Sequence, residues 1–360
     1  MLLYQIALTL IPRIGHRSAR RLLQDFTPDE VFRATPTMLE SAGFHQMAIQ
    51  AITKSDVFPK AEKELSFIQK NEIKTLFYTD ESFPYRLKFC DDTPVLLYYR
   101  GDFDFNATKI ISIVGTRKST DYGVQITRKI IEDLSIHLDI VVVSGLAYGI
   151  DTAAHHSSLE FNVPTVGVVA HGLDILYPSQ NRKLAKDMLE TGAIISEFPS
   201  GTIPDRENFP QRNRIIAGLA DAVLVVEAAK KGGALITAEL ANSYGREVFA
   251  IPGRINDTYS EGCNKLININ KAILTQSAND IMNAMNWRKK KKTETQLNLF
   301  ADLNKEEQIV VDFLKRNANA DIDSIIEKNN LNSTKAASIL LNLELKGLIY
   351  TLPGKRYNIF

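Results

Sequence analysis

Ile110-Ile111-Ser112-Ile113-Val114 breaks at Gly115-Thr116-Arg117, and Ile140-Val141-Val142-Val143 breaks at Ser144-Gly145 before Leu146-Ala147-Tyr148-Gly149-Ile150-Asp151. A β-branched run that stops at glycine and passes into a helical pattern is how a buried parallel strand feeds its crossover helix. A glycine turn there leaves backbone N–H groups facing outward. The helix behind it adds the positive end of its dipole, so the place favours phosphate. Arg117 would close it with a planar fork matched to phosphate oxygens.

Three further clusters carry the same chemistry. Arg206-Glu207-Asn208-Phe209-Pro210-Gln211-Arg212-Asn213-Arg214 puts three arginines, two asparagines and a phenylalanine at a helix start. The donors suit phosphate and Phe209 suits a stacked base; the plainer reading is a capped helix with arginines on its solvent face. Tyr177-Pro178-Ser179-Gln180-Asn181-Arg182-Lys183 lies at another loop-to-helix junction, where an exposed Arg-Lys pair alone is commonplace. In Lys230-Lys231-Gly232-Gly233-Ala234, glycines open a third helix.

Catalytic readings fare worse. Ser144, Asp151 and His155 lack the G-x-S-x-G elbow that exposes a hydrolase nucleophile. Asp151 and His155 stand four apart on one helix, where a local hydrogen bond is the simpler account. His155-His156 has no zinc-ligand spacing. Neither the Rossmann G-x-G-x-x-G nor the Walker G-x-x-x-x-G-K-[ST] is present, so no dinucleotide, Mg-ATP or other cofactor is expected.

These residues need a scaffold, and the periodicity supplies one. Strands are expected at 110–114, 140–144, 164–169, 193–196, 222–226 and 248–251. Helices are expected between them at 122–137, 149–161, 180–190, 208–219 and 234–244. Ile126, Ile130 and Leu134 mark one buried stripe in the first helix. Such alternation implies an open parallel sheet with helices on both faces. Right-handed crossovers then gather the strand C-termini, and with them Gly115, Gly145, Gly232, Gly233 and Arg254, along one edge.

Before this core, residues 1–65 read as helical, with Ile14-Gly15-His16-Arg17 resembling a helix-hairpin-helix turn and a looser echo near Gly43. A plain helical hairpin explains them equally well. Residues 66–285 form the α/β domain, entered through strands at 73–77 and 95–99. Arg288-Lys289-Lys290-Lys291-Lys292 opens a basic and polar linker over 286–303. Residues 304–360 read as helices at 305–316, 321–329 and 333–346 and a short hairpin, the winged-helix layout. Eight Lys/Arg face eight Asp/Glu between Ala301 and Phe360, whereas a DNA-reading winged helix should be basic.

Across the chain, 43 Lys+Arg against 42 Asp+Glu leave a net charge of +1, so an anionic partner must be met by local clusters. Cys90 and Cys263 form no C-x-x-C pair, which fits a reducing, cytoplasmic setting. No run reaches the ~18 apolar residues of a membrane span, and no membrane partner is expected.

The ordered set Val114-Gly115-Thr116-Arg117, Ser144-Gly145-Leu146-Ala147-Tyr148-Gly149-Ile150-Asp151-Thr152-Ala153-Ala154-His155, Asn208-Phe209-Pro210-Gln211-Arg212-Asn213-Arg214 and Gly232-Gly233-Ala234-Leu235-Ile236-Thr237-Ala238 resembles the DNA-processing protein A (DprA/Smf) family. The resemblance implies an extended Rossmann-like parallel sheet core with an N-terminal SAM/helix-hairpin-helix-like domain and a C-terminal winged helix. It further implies a homodimer without enzymatic turnover that binds single-stranded DNA, protects it during natural transformation and helps load RecA. With these residues the expected DNA-binding set is Gly115, Thr116, Arg117, Ser144, Gly145, Arg182, Lys183, Asn208, Phe209, Arg212, Asn213, Arg214, Lys231, Gly232, Gly233 and Arg254, with Phe209 placed there by its chemistry and not by the resemblance. Asn264, Lys265, Leu266 and Ile267 would form the dimer or RecA surface. The competing resemblance is to nucleoside-monophosphate phosphoribohydrolases, whose P-G-G-x-G-T-x-x-E signature would place Glu239 as its acid. Here Lys231, Leu235 and Ile236 replace its Pro, third Gly and Thr.

Overall fold

The computed structural model describes residues 1–288 and 303–359, which divide into two compact units, Met1–Lys290 and Lys291–Phe360. The first unit opens with helices α1 (Leu2–Leu10), α2 (His16–Asp25), α3 (Pro28–Arg33), α4 (Pro36–Ser41), α5 (Gln46–Thr53) and α6 (Phe58–Lys70). Then come β1 (Lys74–Phe77), α7 (Tyr85–Lys88) and β2 (Leu96–Gly101). The alternating part runs β3 (Ile110–Val114), α8 (Asp121–His137), β4 (Val141–Ser144), α9 (Ile150–Glu160), β5 (Thr165–Val168), α10 (Arg182–Met188) and β6 (Ala193–Ser196). It continues with α11 (Asn208–Leu219), β7 (Ala222–Val225), α12 (Gly233–Ser243), β8 (Glu247–Ala250), α13 (Glu261–Asn268), β9 (Ile273–Leu274) and α14 (Ala278–Ala284).

All nine strands join one sheet in the order β1-β2-β6-β5-β4-β3-β7-β8-β9. From β6 to β9 the pairings are parallel, as the alternation predicts. At the other end β2 runs antiparallel to both β1 and β6, so the sheet is mixed. Its strands turn opposite side chains to opposite faces. Ile111, Ile113, Val142 and Leu224 pack under α8 and α9 with Ile130, Leu134 and Ile150, while Val114, Val143, Val223 and Val225 pack with Ile215, Ile216 and Ala238. Each fully buried branched side chain contributes about 1.5–3 kcal/mol, which explains runs that are apolar throughout.

The expected boundary at 65/66 falls inside α6. Ala61 and Ile68 lie on one face of that helix, in a single apolar cluster that joins Ile6, Leu22 and Ile49 to Phe77 and Tyr98. The N-terminal helices therefore share a core with β1 and β2. Gly15 is the extended residue before α2, and the positive φ of that turn falls on Arg13 instead. Arg20 of α2 donates to the carbonyls of Cys90, at 3.1 Å, and Asp91. The hairpin thus packs on its own chain, the plainer of its two readings.

The second unit holds α15 (Lys305–Arg316), β10 (Ala320–Asp321), α16 (Ile322–Lys328), α17 (Ser333–Leu345), β11 (Ile349–Leu352) and β12 (Arg356–Ile359). Its antiparallel sheet has the order β10-β12-β11. Val310, Leu314, Ile325, Leu340, Leu343 and Ile349 close a separate small core, as the winged-helix pattern predicts. Most of the expected 286–303 linker lies outside the described residues.

Candidate nucleic-acid interface

In strand order, β3 sits between β4 and β7, and the connections leaving the adjacent strands β3 (to β4) and β7 (to β8) run in opposite directions. Ligands of open α/β sheets settle beyond the strand C-termini at such a switch point. Here the turns after β3 and β4 interlock. A Cβ on Gly115 would stand 2.5 Å from Ile150 Cγ1, and one on Gly149, whose φ is +78°, would stand 2.2 Å from the Thr116 carbonyl oxygen. Only glycine permits that approach. Ile150 N–H donates to the Thr116 carbonyl at 3.2 Å, and Thr116 N–H donates to the Glu227 carbonyl beyond β7 at 2.8 Å. The buried Glu227 carboxylate in turn accepts from the Thr120 amide, at 3.0 Å, and hydroxyl, fixing the start of α8.

A cleft of about 400 Å³ opens over these three strand ends. Its walls come from Gly115, Thr116 and Arg117 after β3, Ala147 and Asp151 after β4, and Ala228 to Thr237 after β7. Helix α11 contributes Phe209, Arg212 and Asn213, and Arg206 precedes it. Arg117, Arg206 and Lys231 are exposed at the mouth. The Arg117 guanidinium lies over the half-buried Phe209 ring, 4.5 Å from its centroid, a cation–π contact. Gly232 and Gly233 open α12 toward the cleft, and Asn213 Nδ2 holds the Gly233 carbonyl at 3.3 Å.

The floor is buried. Arg212 donates from Nη1 to the carbonyls of Gly145 and of Val168, the latter at 2.6 Å. Burial pushes its guanidinium down to about 10, against the attraction of Asp151. Burial likewise raises the Asp151 carboxyl above the ordinary carboxylate range, with Arg212 opposing the shift. Exposed guanidinium and ammonium groups grip phosphate oxygens, and the Phe209 ring, with Arg117 over it and Arg212 5.8 Å from its centroid, gives a sequence-tolerant stacking surface where Arg117 moves aside. This arrangement can hold a phosphate and a base at once.

Several sequence-based assignments land elsewhere. Ser144 is fully buried, its hydroxyl donating to the Ile113 carbonyl at 2.6 Å. Arg214 points to the other side of α11, where it pairs with the buried Glu197, donates to the Asp92 carbonyl and meets His16 Nε2 at 2.9 Å. It joins the N-terminal helices to the sheet and does not line the cleft. Asn208 donates to the Ile203 carbonyl at 3.2 Å. Arg182 and Lys183 are exposed at the start of α10, outside the cleft lining. Arg254 lines a second depression, of about 970 Å³, with Tyr122 and Tyr259. Of the four interface candidates, Lys265 is exposed, Leu266 is core, Ile267 packs partly against that core, and Asn264 bonds Gly253.

Ser144, Asp151 and His155 form no triad. His155 Nδ1 meets the Thr165 hydroxyl at 2.7 Å, and burial pushes its imidazole down to about 3. Glu239 is on the exposed side of α12 and does not line the cleft. Two charged lining residues stood outside the sequence-based set: Arg206, visible in the same arginine cluster, and Asp151, whose position four before His155 drew it into a local reading. Among the described residues no group of His, Cys, Asp and Glu could hold a metal ion, and no helix is long and apolar enough to cross a membrane.

A doubly wound α/β sheet with a cation-rimmed cleft at its switch point defines a Rossmann-like fold. The particular family follows from comparison with known proteins. The model described as DNA recombination-mediator protein A matches residues 74–286, and that described as DprA winged helix domain matches 299–355. The chain belongs to the DNA recombination-mediator protein A (DprA/Smf) family, whose members are DNA-processing proteins. It is 38% identical to protein Smf of Synechocystis over 78% of this chain and 71% of that protein. It is 41% identical to DNA processing protein DprA of Streptococcus pneumoniae over 56% of this chain and 71% of that one. The X-ray structure of the pneumococcal protein superposes with a TM-score of 0.68 at 32% identity, covering 79% of this chain and 98% of that one. A structure of DNA processing protein A from Helicobacter pylori, whose subject is its single-stranded DNA binding mode, superposes with a TM-score of 0.53 at 29% identity, covering 59% of this chain and 95% of that one.

Proposed function

We propose that this protein is a recombination mediator that binds single-stranded DNA without turnover, seating one phosphate and one base in the cleft at the β3–β4–β7 strand ends. The observation that carries the reading is the pairing of Arg117 with Phe209 at that mouth, 4.5 Å from guanidinium to ring. A fork for phosphate stands directly against a ring for a base, and the exposed Arg206 and Lys231 line the same cleft. The Helicobacter relative's single-stranded DNA binding supports the same ligand class. Glu239, the acid a phosphoribohydrolase would need, lies away from this mouth. The strand would then pass to a RecA-type recombinase. A homodimer would present two such clefts, joined near Lys265, Ile267 and the exposed edge strand β9.

Fluorescence anisotropy with labelled oligothymidylate tests the site. Binding should weaken with salt, and Arg117→Ala should flatten the slope of log affinity against log salt by about one phosphate. Phe209→Ala should cost about 1–3 kcal/mol. Variants that bind like the parent would remove the cleft from the DNA path. Light scattering of parent and Ile267→Glu reads the dimer, and a shortened lag in RecA filament growth on coated strands reads the hand-over.

A further inference from the structure

The surface beside the cleft continues in two directions, and they differ in charge. On the β4 side Ala147 lines the cleft, and the next residue, Tyr148, stands 38% exposed outside that lining. A Cβ on Gly149 would lie 2.8 Å from Arg117 Cα, so the backbone beside Tyr148 packs on that of the cation at the mouth. The Tyr148 hydroxyl donates to Gln180 Oε1 at 2.6 Å, in the loop between β5 and α10. Buried Asn181 donates from Nδ2 to the Leu146 carbonyl at 3.0 Å and to the Thr152 hydroxyl at 2.9 Å. The loops after β4 and β5 are thereby clamped together. In the second of them Tyr177 is 42% exposed, and its amide donates to Nε2 of the buried His171 at 3.3 Å. Arg182 and Lys183 follow, both exposed. The Asp174 carboxylate of the same loop is taken by the Gly201 amide at 3.0 Å.

Accessible rings in fixed loops, followed by cations, are the ingredients of a track for a single strand. The rings stack bases of any kind, and the cations hold the phosphates between them. The depression beyond β7 and β8 also carries rings, Tyr122 and Tyr259. Its acids Asp121, Glu227 and Asp257, however, line it against one cation, Arg254. A phosphodiester would meet like charge there. Rings do not distinguish the two directions; charge does.

We propose that a bound strand leaves the cleft over the turn after β4 toward α10, with Tyr148 and Tyr177 as stacking platforms outside the cleft and Arg182 and Lys183 on its phosphates. This rests on the single-strand reading above and adds a direction to it. The test is anisotropy of the full chain with oligothymidylates of about five and about fifteen nucleotides, which span the cleft alone or the cleft and the track. Tyr148→Ala and Tyr177→Ala should each weaken the longer strand about five- to hundredfold, the scale of one lost stacking contact, and leave the shorter one as in the parent. Tyr148→Phe, which keeps the ring and loses the hydroxyl, should bind the longer strand like the parent. Tyr122→Ala should change neither. In the parent, iododeoxyuridine placed stepwise along the longer strand should crosslink on illumination to Tyr148 or Tyr177, at positions to one side of the one that reaches Phe209. That mapping needs no variant. Tyrosine variants that bind both strands like the parent, or crosslinks to Tyr122 or Tyr259 instead, overturn the path and leave the cleft reading standing. Equal loss of the shorter strand would make the two tyrosines supports of the cleft and overturn the path as well. If the parent binds neither strand, both readings fall.

Discussion

Arg117, Arg212 and Arg214 lie within one motif set, yet each does different work. Arg117 stands exposed on the Phe209 ring, Arg212 ties the turns after β4 and β5 from beneath, and Arg214 closes a buried ion pair with Glu197. His155 makes the same point for a titratable group. It is fully buried on Thr165, with an imidazole near 3 against an ordinary 6.5. The unfolded chain therefore takes up a proton that the fold refuses. Its contribution to stability is whole above pH 6.5, shrinks as pH falls below that, and levels off only near 3. By pH 5 the loss from this one group is about 2 kcal/mol. Urea unfolding at pH 7.5 and pH 5 checks it: parent minus His155→Asn should show about 2 kcal/mol more loss in the parent. Parallel profiles would mean that the ring is not held neutral.

Helix α11 is the element on which the site turns. Phe209, Arg212, Asn213 and Ile216 line the cleft, while Arg214 leaves from another side toward Glu197 and His16. Arg214→Ala should therefore act on the fold first. Removing one partner of a buried pair costs about 3–5 kcal/mol, read as a lowered unfolding midpoint, and the phosphate slope of DNA binding should stay unchanged. A normal midpoint with a reduced slope would return Arg214 to the strand's path. The elements themselves were legible in sequence. The β-branched runs and their glycines located β3 to β8 to within a residue or two, because burial on both faces leaves an unmistakable apolar pattern. Side-chain direction was not legible in the same way. Arg212 and Arg214 are two residues apart on a helix and so face different sides, and which side meets the cleft depends on packing against the sheet. The antiparallel β2 was hidden too, since strand direction is set by a connection that carries no periodic signal. The 65/66 boundary failed because α6 continues its apolar face across it.

At the scale of the whole molecule, charge is distributed by unit. Overall it is nearly balanced, at +1, and under the proposed reading the strand is met by the exposed cations at the mouth of one cleft. Between Ala301 and Phe360 eight basic residues meet eight acidic ones, and inside that unit Lys335 pairs with Glu306 and Lys346 with Glu307. Affinity for a nucleic-acid backbone follows the number of phosphates neutralised, so the C-terminal unit should add little to it. Two truncations separate the contributions. A chain of residues 1–292 keeps the sheet unit and the five-cation run Arg288 to Lys292, and should bind oligothymidylate within about twofold of the full chain with the same salt slope. A chain of residues 1–287 loses that run, and any fall in slope measures what the run adds. If removing residues 304–360 instead lowers affinity by tenfold or more, the winged helix contacts the strand through something other than net charge. Its exposed Leu341 and Leu345 on α17 would then be the first residues to change.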